Sequence, residues 1–261
     1  MKIIVCVKQT LDTNATIEIK QGAIHAPNAA RIMNPYDEFA VEEAVRIKER
    51  KPDTEITLIT LGGENARDIL KTGLAMGADR AIYINENKLD DSDGLAIASK
   101  LAEVIKRSEF DLILCGRQAV DQDRAQVGPA LSVFLGIPVI SVATQLDFSD
   151  DFQRVVATRQ IEGGSERIES PLPLLVTCQK GLNSPRLPSL KGIMAARKKE
   201  VVEIAGSELT TVASDSNNSA TLRIIELSLP PKRKSAIMLE GSAPAMASEL
   251  AKVLREVEKV I

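Results

Sequence analysis

Over roughly the first 150 residues, short apolar runs alternate with stretches of helical pattern, and this alternation limits the possible folds more than any other feature. The runs are rich in β-branched residues and almost continuously apolar, which is typical of strands covered on both faces. We therefore predict an α/β fold, with a mostly parallel sheet and helices on both faces. The predicted strands span residues 3–7, 55–61, 81–84, 112–115 and 138–142; the predicted helices span 34–50, 66–76 and 94–105, and a fourth begins near 126.

The composition is that of a folded protein without a nucleic-acid surface. Of the 261 residues, 44% are apolar and 26% are charged, and the net charge is -3. Lysines and arginines are spread along the chain and aromatic residues are scarce, so neither a basic face nor a base-stacking platform for nucleic acid is expected. No apolar stretch approaches the length of a membrane span, and the N-terminus is too short and strand-like for a signal peptide.

The three cysteines, Cys6, Cys115 and Cys178, each lie in or at the end of an apolar run. We therefore expect buried free thiols in a reducing compartment, which points to a cytoplasmic protein. His25 is the single histidine, and the chain has no CxxC pair. Neither a metal site nor a histidine-dependent catalytic triad is expected.

A ligand site is predicted beyond the carboxyl ends of the strands, because ligands of open parallel sheets bind there, near the point where the strand order reverses. The segment after Val7, the sequence LGGEN at 61–65 and the loop that opens at Gly116 should meet at this edge. The chain has no GxGxxG after its first strand, no GxxxxGKS or GxxxxGKT, and no SGGxDS. Rossmann, P-loop and ATP pyrophosphatase chemistry are therefore not indicated, and a nucleotide-type pocket without an evident catalytic base or nucleophile remains.

After about residue 150 the pattern changes. Residues 152–170 predict a pair of strands, 174–178 a buried strand, and 181–200 an irregular proline-rich stretch, followed by a solvated linker over 205–221. We predict a domain over residues 1–200 and a C-terminal arm over 201–261, which lies on a partner subunit or packs back on its own sheet. The last helix begins near Pro244 and carries an apolar stripe of Met246, Leu250, Val253, Leu254 and Val257.

Five stretches occur along the chain in a recognisable order: MNPYDEFAVEEAVRIKE, GADRAIYI, CGRQAVDQDRAQVGP, RQIEGGSERIESPLPLLVT and PRLPSLKGIMAARKK. Together they resemble the β subunit of electron-transfer flavoproteins. The resemblance implies an adenine-nucleotide α-hydrolase-like fold and an electron carrier without substrate turnover of its own. An α subunit would hold most of an FAD. The heterodimer would pass electrons from flavin dehydrogenases, such as the acyl-CoA dehydrogenases of fatty acid β-oxidation, through a quinone-reducing oxidoreductase to the quinone pool.

The resemblance also implies that this subunit binds AMP as a structural ligand. Amides from Gln126 to Gly128 would meet the phosphate at a helix start, while Asp121 and Asp123 would accept hydrogen bonds from ribose hydroxyls or loop amides. More ordinary interpretations stay open, with Cys6 and Leu61 as core and Asn34 and Asp37 as helix-capping residues. The residues implied for the cofactor site are Cys6, Asn34, Pro35, Tyr36, Asp37, Leu61, Asp121, Gln122, Asp123, Arg124, Ala125, Gln126, Val127, Gly128, Pro129, Ala130, Leu131 and Ser132.

In bifurcating members of the family, the same pocket holds a second FAD, which accepts hydride from NADH. Those members are expected to carry Asp-Thr-x-x-Thr where this chain has DGLAI at 93–97, so Gly94 and Ile97 offer no hydroxyl to a diphosphate. This difference favours AMP, although NPYD and GRQAVDQD resemble bifurcating members at least as closely. A stand-alone adenine-nucleotide-binding regulator, in the manner of universal stress proteins, would share the core and pocket. It would not explain IEGG, PSLKGIM or the arm.

Residues 181–199 resemble the loop by which the family recognises its dehydrogenases, and Leu190 matches the leucine that anchors in the dehydrogenase. Buried aliphatic anchors of this kind are typical interface hot spots. Gln160 departs from the family pattern, which often has an acidic residue there. An ion pair to the α subunit from this position is therefore not supported.

Overall fold

The computed structural model describes residues 1–86, 93–209, 222, 224–231 and 236–261, which fall into two compact units, residues 1–226 and 227–261. In the first unit the described strands form a nine-stranded sheet, with strand order β11-β10-β9-β12-β8-β1-β6-β7-β13. The strands are β1 Lys2–Cys6, β6 Glu55–Gly62, β7 Arg80–Asn85, β8 Leu112–Gly116, β9 Val139–Phe148, β10 Arg154–Ile161, β11 Gly164–Pro171, β12 Leu174–Cys178 and β13 Val201–Ala205.

Two small antiparallel pairs lie between the first strand and the first helix, and they are β2 Gln9–Leu11 with β5 Arg31–Met33, and β3 Glu18–Lys20 with β4 Ala23–His25. The second pair is a small hairpin. The α-helices are α1 Pro35–Arg50, α2 Arg67–Met76, α3 Gly94–Ile105, α4 Val127–Leu135, α5 Leu190–Ala196 and α6 Ala243–Lys252. Short 3-10 turns cover Glu64–Ala66 and Gly206–Glu208, and a π-helical turn, Val253–Val257, follows α6.

Helices cover both faces of the sheet, as predicted. In β1, Ile3 and Val5 face the core shared with α1 and α2, whereas Ile4 and Cys6 face the core shared with α3 and α4. This alternation explains why the strand sequences are apolar at consecutive positions, since each face of the sheet needs its own apolar set. The α/β fold class predicted from the sequence is confirmed.

The strand order reverses between β1 and β8. From β1 the chain adds β6 and then β7 on one side, and after α3 it crosses back to place β8 on the other side of β1. The carboxyl ends of β1, β6 and β8 therefore lie together, with Cys6 paired in register with both Ile59 and Cys115. A reversal of this kind opens a crevice above the sheet, where ligands bind.

Three elements go beyond the predicted pattern. Strand β9 continues to Phe148 and pairs antiparallel with β10, so the hairpin of β10 and β11 extends the main sheet. The proline-rich stretch contains α5, which Ser189 caps by accepting a hydrogen bond from the Gly192 amide at 3.0 Å. Residues assigned to the arm form β13, which pairs with β7 from Val201 opposite Ala81 onward. Of the predicted linker, residues 210–221 lie outside the described residues.

The second unit consists mainly of α6 and the π-helical turn. The helix begins at Ala243, next to the predicted start at Pro244. None of the stripe residues is buried, and Leu250 and Val257 are exposed. Whether this arm lies on a partner subunit stays a prediction. Among the described residues, no helix combines the length and the apolar character needed to cross a membrane.

Candidate functional site

A cavity of about 430 Å³ lies at the reversal of strand order in the first unit. It is bounded by the carboxyl ends of β1, β6 and β8, the first turn of α1, the starts of α3 and α4, and the loop 117–126 that joins β8 to α4. Its volume falls in the range of small-molecule sites. The predicted site residues that line it are Cys6, Asn34, Asp37, Leu61, Gln122, Arg124, Ala125, Gln126, Val127 and Gly128.

The other predicted site residues lie near the cavity without lining it. Pro35 and Tyr36 form the first turn of α1, and the Tyr36 ring lies 5.8 Å from the Arg117 guanidinium. Asp121 and Asp123 lie in the loop 117–126, and they are described below. The remainder, Pro129, Ala130, Leu131 and Ser132, continue α4, where Leu131 and Ser132 are buried and the Ser132 hydroxyl donates to the Pro129 carbonyl.

Asp37 holds three elements together beneath the cavity. Its Oδ2 accepts a hydrogen bond from the Lys8 amide at 2.6 Å, and its Oδ1 accepts from the Gly116 amide at 3.1 Å. The ends of β1 and β8 are thus both tied to the first turn of α1. Burial raises the pKa of the Asp37 carboxyl to about 7, although these hydrogen bonds and the Lys8 charge act in the opposite direction.

Asn34 connects the loop 117–126 to α1. Its side-chain amide donates to Asp37 Oδ1 and to the Gln118 carbonyl, both at 2.8 Å, and its Oδ1 accepts from the Val120 amide at 3.1 Å. Asn34 occupies the position before α1, but its side chain makes no capping hydrogen bond to the helix. The capping interpretation is therefore wrong for the side chain, because the backbone of the loop takes both of its polar ends.

The two aspartates of the loop bind groups of the same chain. Asp121 pairs with the Lys8 ammonium at 2.9 and 3.0 Å, and Asp123 accepts from the Gln118 side-chain amide at 2.5 Å. The charge of Asp121 is therefore compensated by Lys8 before a ligand enters, while the Asp123 carboxylate is held by a neutral amide. Lys8 was not predicted in this role, although its position directly after the first strand was a usable signal, because parallel strands end at the same edge.

The end of the loop has the backbone conformation of an anion site. Asp123 and Ala125 have positive φ angles of 52°, and Gln126 returns to the right-handed region at φ -95° and ψ -35°. Left- and right-handed residues in succession turn their N–H groups to one side and form a concave nest. Within the described part of the chain, no side chain caps α4, and the N–H groups of Ala125, Gln126 and Val127 have no acceptor.

The start of α3 differs from that of α4. Asp93, which is buried, accepts a hydrogen bond from the Ala96 amide at 3.0 Å and so caps α3 with its own carboxylate. A methyl group on Gly94 would lie 3.2 Å from Gln126 Oε1, which shows how closely the two helix starts approach. Gly94 and Ile97 both line the cavity.

The floor of the cavity carries two thiols. Cys6 and Cys115 are free, buried and in register on adjacent strands, and both line the cavity. A hydrogen bond with Cys6, together with burial, raises the pKa of the Cys115 thiol, so it stays protonated. Cys178 is also free and buried, which confirms that the three cysteines are buried free thiols.

Other lining residues had no signal in the sequence that singled them out. Arg31 reaches the cavity through the β2–β5 pair, and Leu101 does so from the second turn of α3. Glu86 follows β7 and forms a buried ion pair with Lys100, whose ammonium also donates to the Gly206 carbonyl at 2.8 Å. No group of three or more metal-ligating side chains occurs among the residues that the structure describes.

Residues 181–199, which we name the recognition segment after their predicted role, present an apolar surface that does not line the cavity. Leu187, Leu190 and Met194 are 90%, 76% and 63% exposed. On the β10–β11 hairpin, Gln160 accepts a hydrogen bond from the Gln179 side-chain amide at 3.2 Å. The position that departs from the family pattern is thus engaged within its own chain.

The chain matches known proteins over its whole length. The model of the electron transfer flavoprotein domain matches residues 23–209. The electron transfer flavoprotein subunit beta of Bacillus subtilis is 44% identical over 262 residues, with 100% of both chains covered, and that of Syntrophomonas wolfei is 38% identical, with 100% and 98% covered. The caffeyl-CoA reductase-Etf complex subunit CarD of Acetobacterium woodii is 36% identical, with 98% of both chains covered. The chain therefore belongs to the electron transfer flavoprotein family and corresponds to its β subunit.

Proposed function

We propose that this chain is the β subunit of a heterodimeric electron carrier and that its cavity binds AMP as a structural ligand. The observation that carries the proposal is the open, concave start of α4 at the edge of the cavity. The nest formed by Ala125 and Gln126 offers N–H groups to a phosphate, and the helix dipole adds about 0.3–1 kcal/mol of attraction for an anion. The apolar wall of Cys6 and Leu61 suits the adenine.

The second-FAD alternative is less well supported by the start of α3. A diphosphate needs donors beyond those of a single helix end. Asp93 is common to both alternatives, but Gly94 and Ile97, which line the cavity, add no hydroxyl where bifurcating members are expected to have threonines. One relative is named as a subunit of a caffeyl-CoA reductase-Etf complex. The bifurcating function, with NADH oxidation, therefore stays the second candidate.

The partners follow from the same assignment. An α subunit holds most of the FAD, and the arm that includes α6 lies on it, which would cover the exposed Leu250 and Val257. Leu190 anchors in a flavin dehydrogenase such as an acyl-CoA dehydrogenase, and a quinone-reducing oxidoreductase takes the electrons onward. We place the complex in the cytoplasm, because three buried free thiols suit a reducing compartment.

Co-expression with an α subunit tests this function. We expect a yellow heterodimer that is reduced by an acyl-CoA dehydrogenase with its substrate and reoxidised by a quinone-linked acceptor. The AMP form should not be reduced by NADH, whereas the bifurcating form should be. A colourless homodimer would contradict the carrier function altogether and would favour a stand-alone nucleotide-binding regulator.

A further inference from the structure

The recognition segment depends on anchors outside itself for its conformation. Its helix, α5, has seven residues, and none of them is buried. Isolated helices of this length are unstable in water, because the cost of nucleation is not recovered over so few hydrogen bonds. The exposed leucines and methionine around it add no packing of their own. The order of the segment must therefore come from contacts with the rest of the chain.

At the N-terminal end, Arg186 joins the segment to α1. Its Nε and Nη2 donate to the two carboxylate oxygens of Glu42 at 2.8 and 2.9 Å, and its Nη1 and Nη2 donate to Glu49 at 2.6 and 3.2 Å. Glu42 is buried, so its charge needs this partner. The guanidinium lowers the pKa of the Glu49 carboxyl through its hydrogen bonds.

Two further contacts support the same end. The Asn183 side-chain amide donates to the Phe39 carbonyl and to Glu43 Oε2, both at 3.0 Å. The Arg186 backbone amide adds a longer hydrogen bond to Glu42 at 3.2 Å. The hydrogen bonds of Arg186 thus fix the chain directly before Leu187, where the exposed apolar surface begins.

At the C-terminal end, Lys199 joins the segment to the end of α2. Its ammonium donates to the Leu74 and Ala78 carbonyls at 2.9 and 2.6 Å. Between the two ends, Gly192 lies against the Ala75 carbonyl so closely that a methyl group would collide with it. The apolar surface is therefore held at both ends and seated on α2 in the middle.

We propose that Arg186 is a positioning residue for partner docking: its forked salt bridge to Glu42 and Glu49 holds Leu187, Leu190 and Met194 in the arrangement that the dehydrogenase binds. This rests on the proposed function. The conformational entropy of the segment is then lost on folding and not on association, which raises affinity without a new contact. Arg186, Glu42 and Glu49 do not line the cavity, so bound nucleotide should not depend on them.

Three variants of the complex test the inference: Arg186→Gln, Arg186→Lys, and Arg107→Gln. The last is a matched control, because it removes an arginine–glutamate pair with Glu103 at the end of α3. Hydrogen exchange of residues 187–197 and steady-state kinetics with a dehydrogenase are the readouts. In Arg186→Gln we expect exchange to accelerate about tenfold and the KM for the complex to rise about tenfold, with kcat within about twofold. Arg186→Lys should recover part of both changes, because the ammonium keeps the charge but not the fork.

Unchanged exchange and KM in Arg186→Gln, or changes no larger than in Arg107→Gln, would overturn the inference. A parallel loss of bound nucleotide would also overturn it, because the defect would then be a general loss of structure. Exchange is measured without any dehydrogenase, so it decides whether Arg186 orders the segment even if the unaltered complex transfers no electrons. That last result would refute the proposed function instead.

Discussion

The contact of Gly116 with Asp37 leads to a sharp prediction about what holds the site together. At the end of β8, Gly116 donates its amide to Asp37, and it lies against the first turn of α1. A methyl group at this position would collide with the Asp37 carboxylate and would lie 2.8 Å from the carbonyl carbon of Tyr36. Backbone cannot move away as a flexible side chain can, so Gly116→Ala should separate β8 from α1.

The magnitude follows from two contributions. Overpacking against backbone costs about 1–3 kcal/mol, and loss of a hydrogen bond to a charged group costs about 1.5–3 kcal/mol. Gly116→Ala should therefore lower the free energy of unfolding by about 4 kcal/mol. Because the cavity is built on these strand ends, the variant should also retain less nucleotide.

Denaturant unfolding at pH 8, with nucleotide content measured on the same samples, is the assay. Gly164→Ala is the matched control, since nothing lies within 4 Å of a methyl group there. We expect the control to change the free energy of unfolding by less than about 0.5 kcal/mol. A loss of less than about 1 kcal/mol in Gly116→Ala, with nucleotide retained, would refute the role of Asp37 as the link between these elements.

Three further predictions concern Asp37, the Glu86–Lys100 ion pair and Leu190. Burial raises the pKa of the Asp37 carboxyl from 3.8 to about 7. The stability that this group contributes is therefore complete below pH 3.8 and is lost as the pH rises to about 7, which lowers the free energy of unfolding by about 4 kcal/mol. Asp37→Asn should remove this pH-dependent fall in unfolding titrations, and an unchanged fall would contradict the raised pKa. Lys100→Met removes the cation of the Glu86–Lys100 ion pair, whose two side chains are largely buried, and should lower the free energy of unfolding by about 3–5 kcal/mol. Adding Glu86→Gln should recover much of that loss in a double-mutant cycle, whereas additive losses would show that the pair does not interact. Leu190→Ala should slow reduction by the dehydrogenase in stopped-flow measurements while nucleotide and stability stay unchanged, because the side chain is largely exposed; an unaltered rate would exclude Leu190 as an anchor.

The sequence predicts the core of the fold well because each central strand is a short apolar run rich in β-branched residues, which is recognisable without its partner strands. Residues 174–178 and 94–105 were predicted with the bounds of β12 and α3. The edge strands of the sheet are harder to predict, since an edge strand needs a partner that the sequence does not show. The strand β13 is half exposed, and it forms because β7 offers an open side and Lys199 fixes its approach.

The site was predictable as a place and less so as a set of contacts. The predicted strand topology indicates that the segments after Val7, at 61–65 and after Gly116 meet at one edge of the sheet, and the structure places them around one cavity. Sequence could not show that Asn34 serves the loop instead of its helix, because its residue type suits both. Nor could it show that Lys8 neutralises Asp121, a contact across 113 positions of the chain.

The most direct test of the account is the identity of the nucleotides in the purified heterodimer. Denaturation followed by mass analysis of the released small molecules should give one AMP and one FAD for each pair of subunits. Two FAD molecules and no AMP would contradict the structural nucleotide proposed for the cavity above Asp37 and would establish the bifurcating alternative.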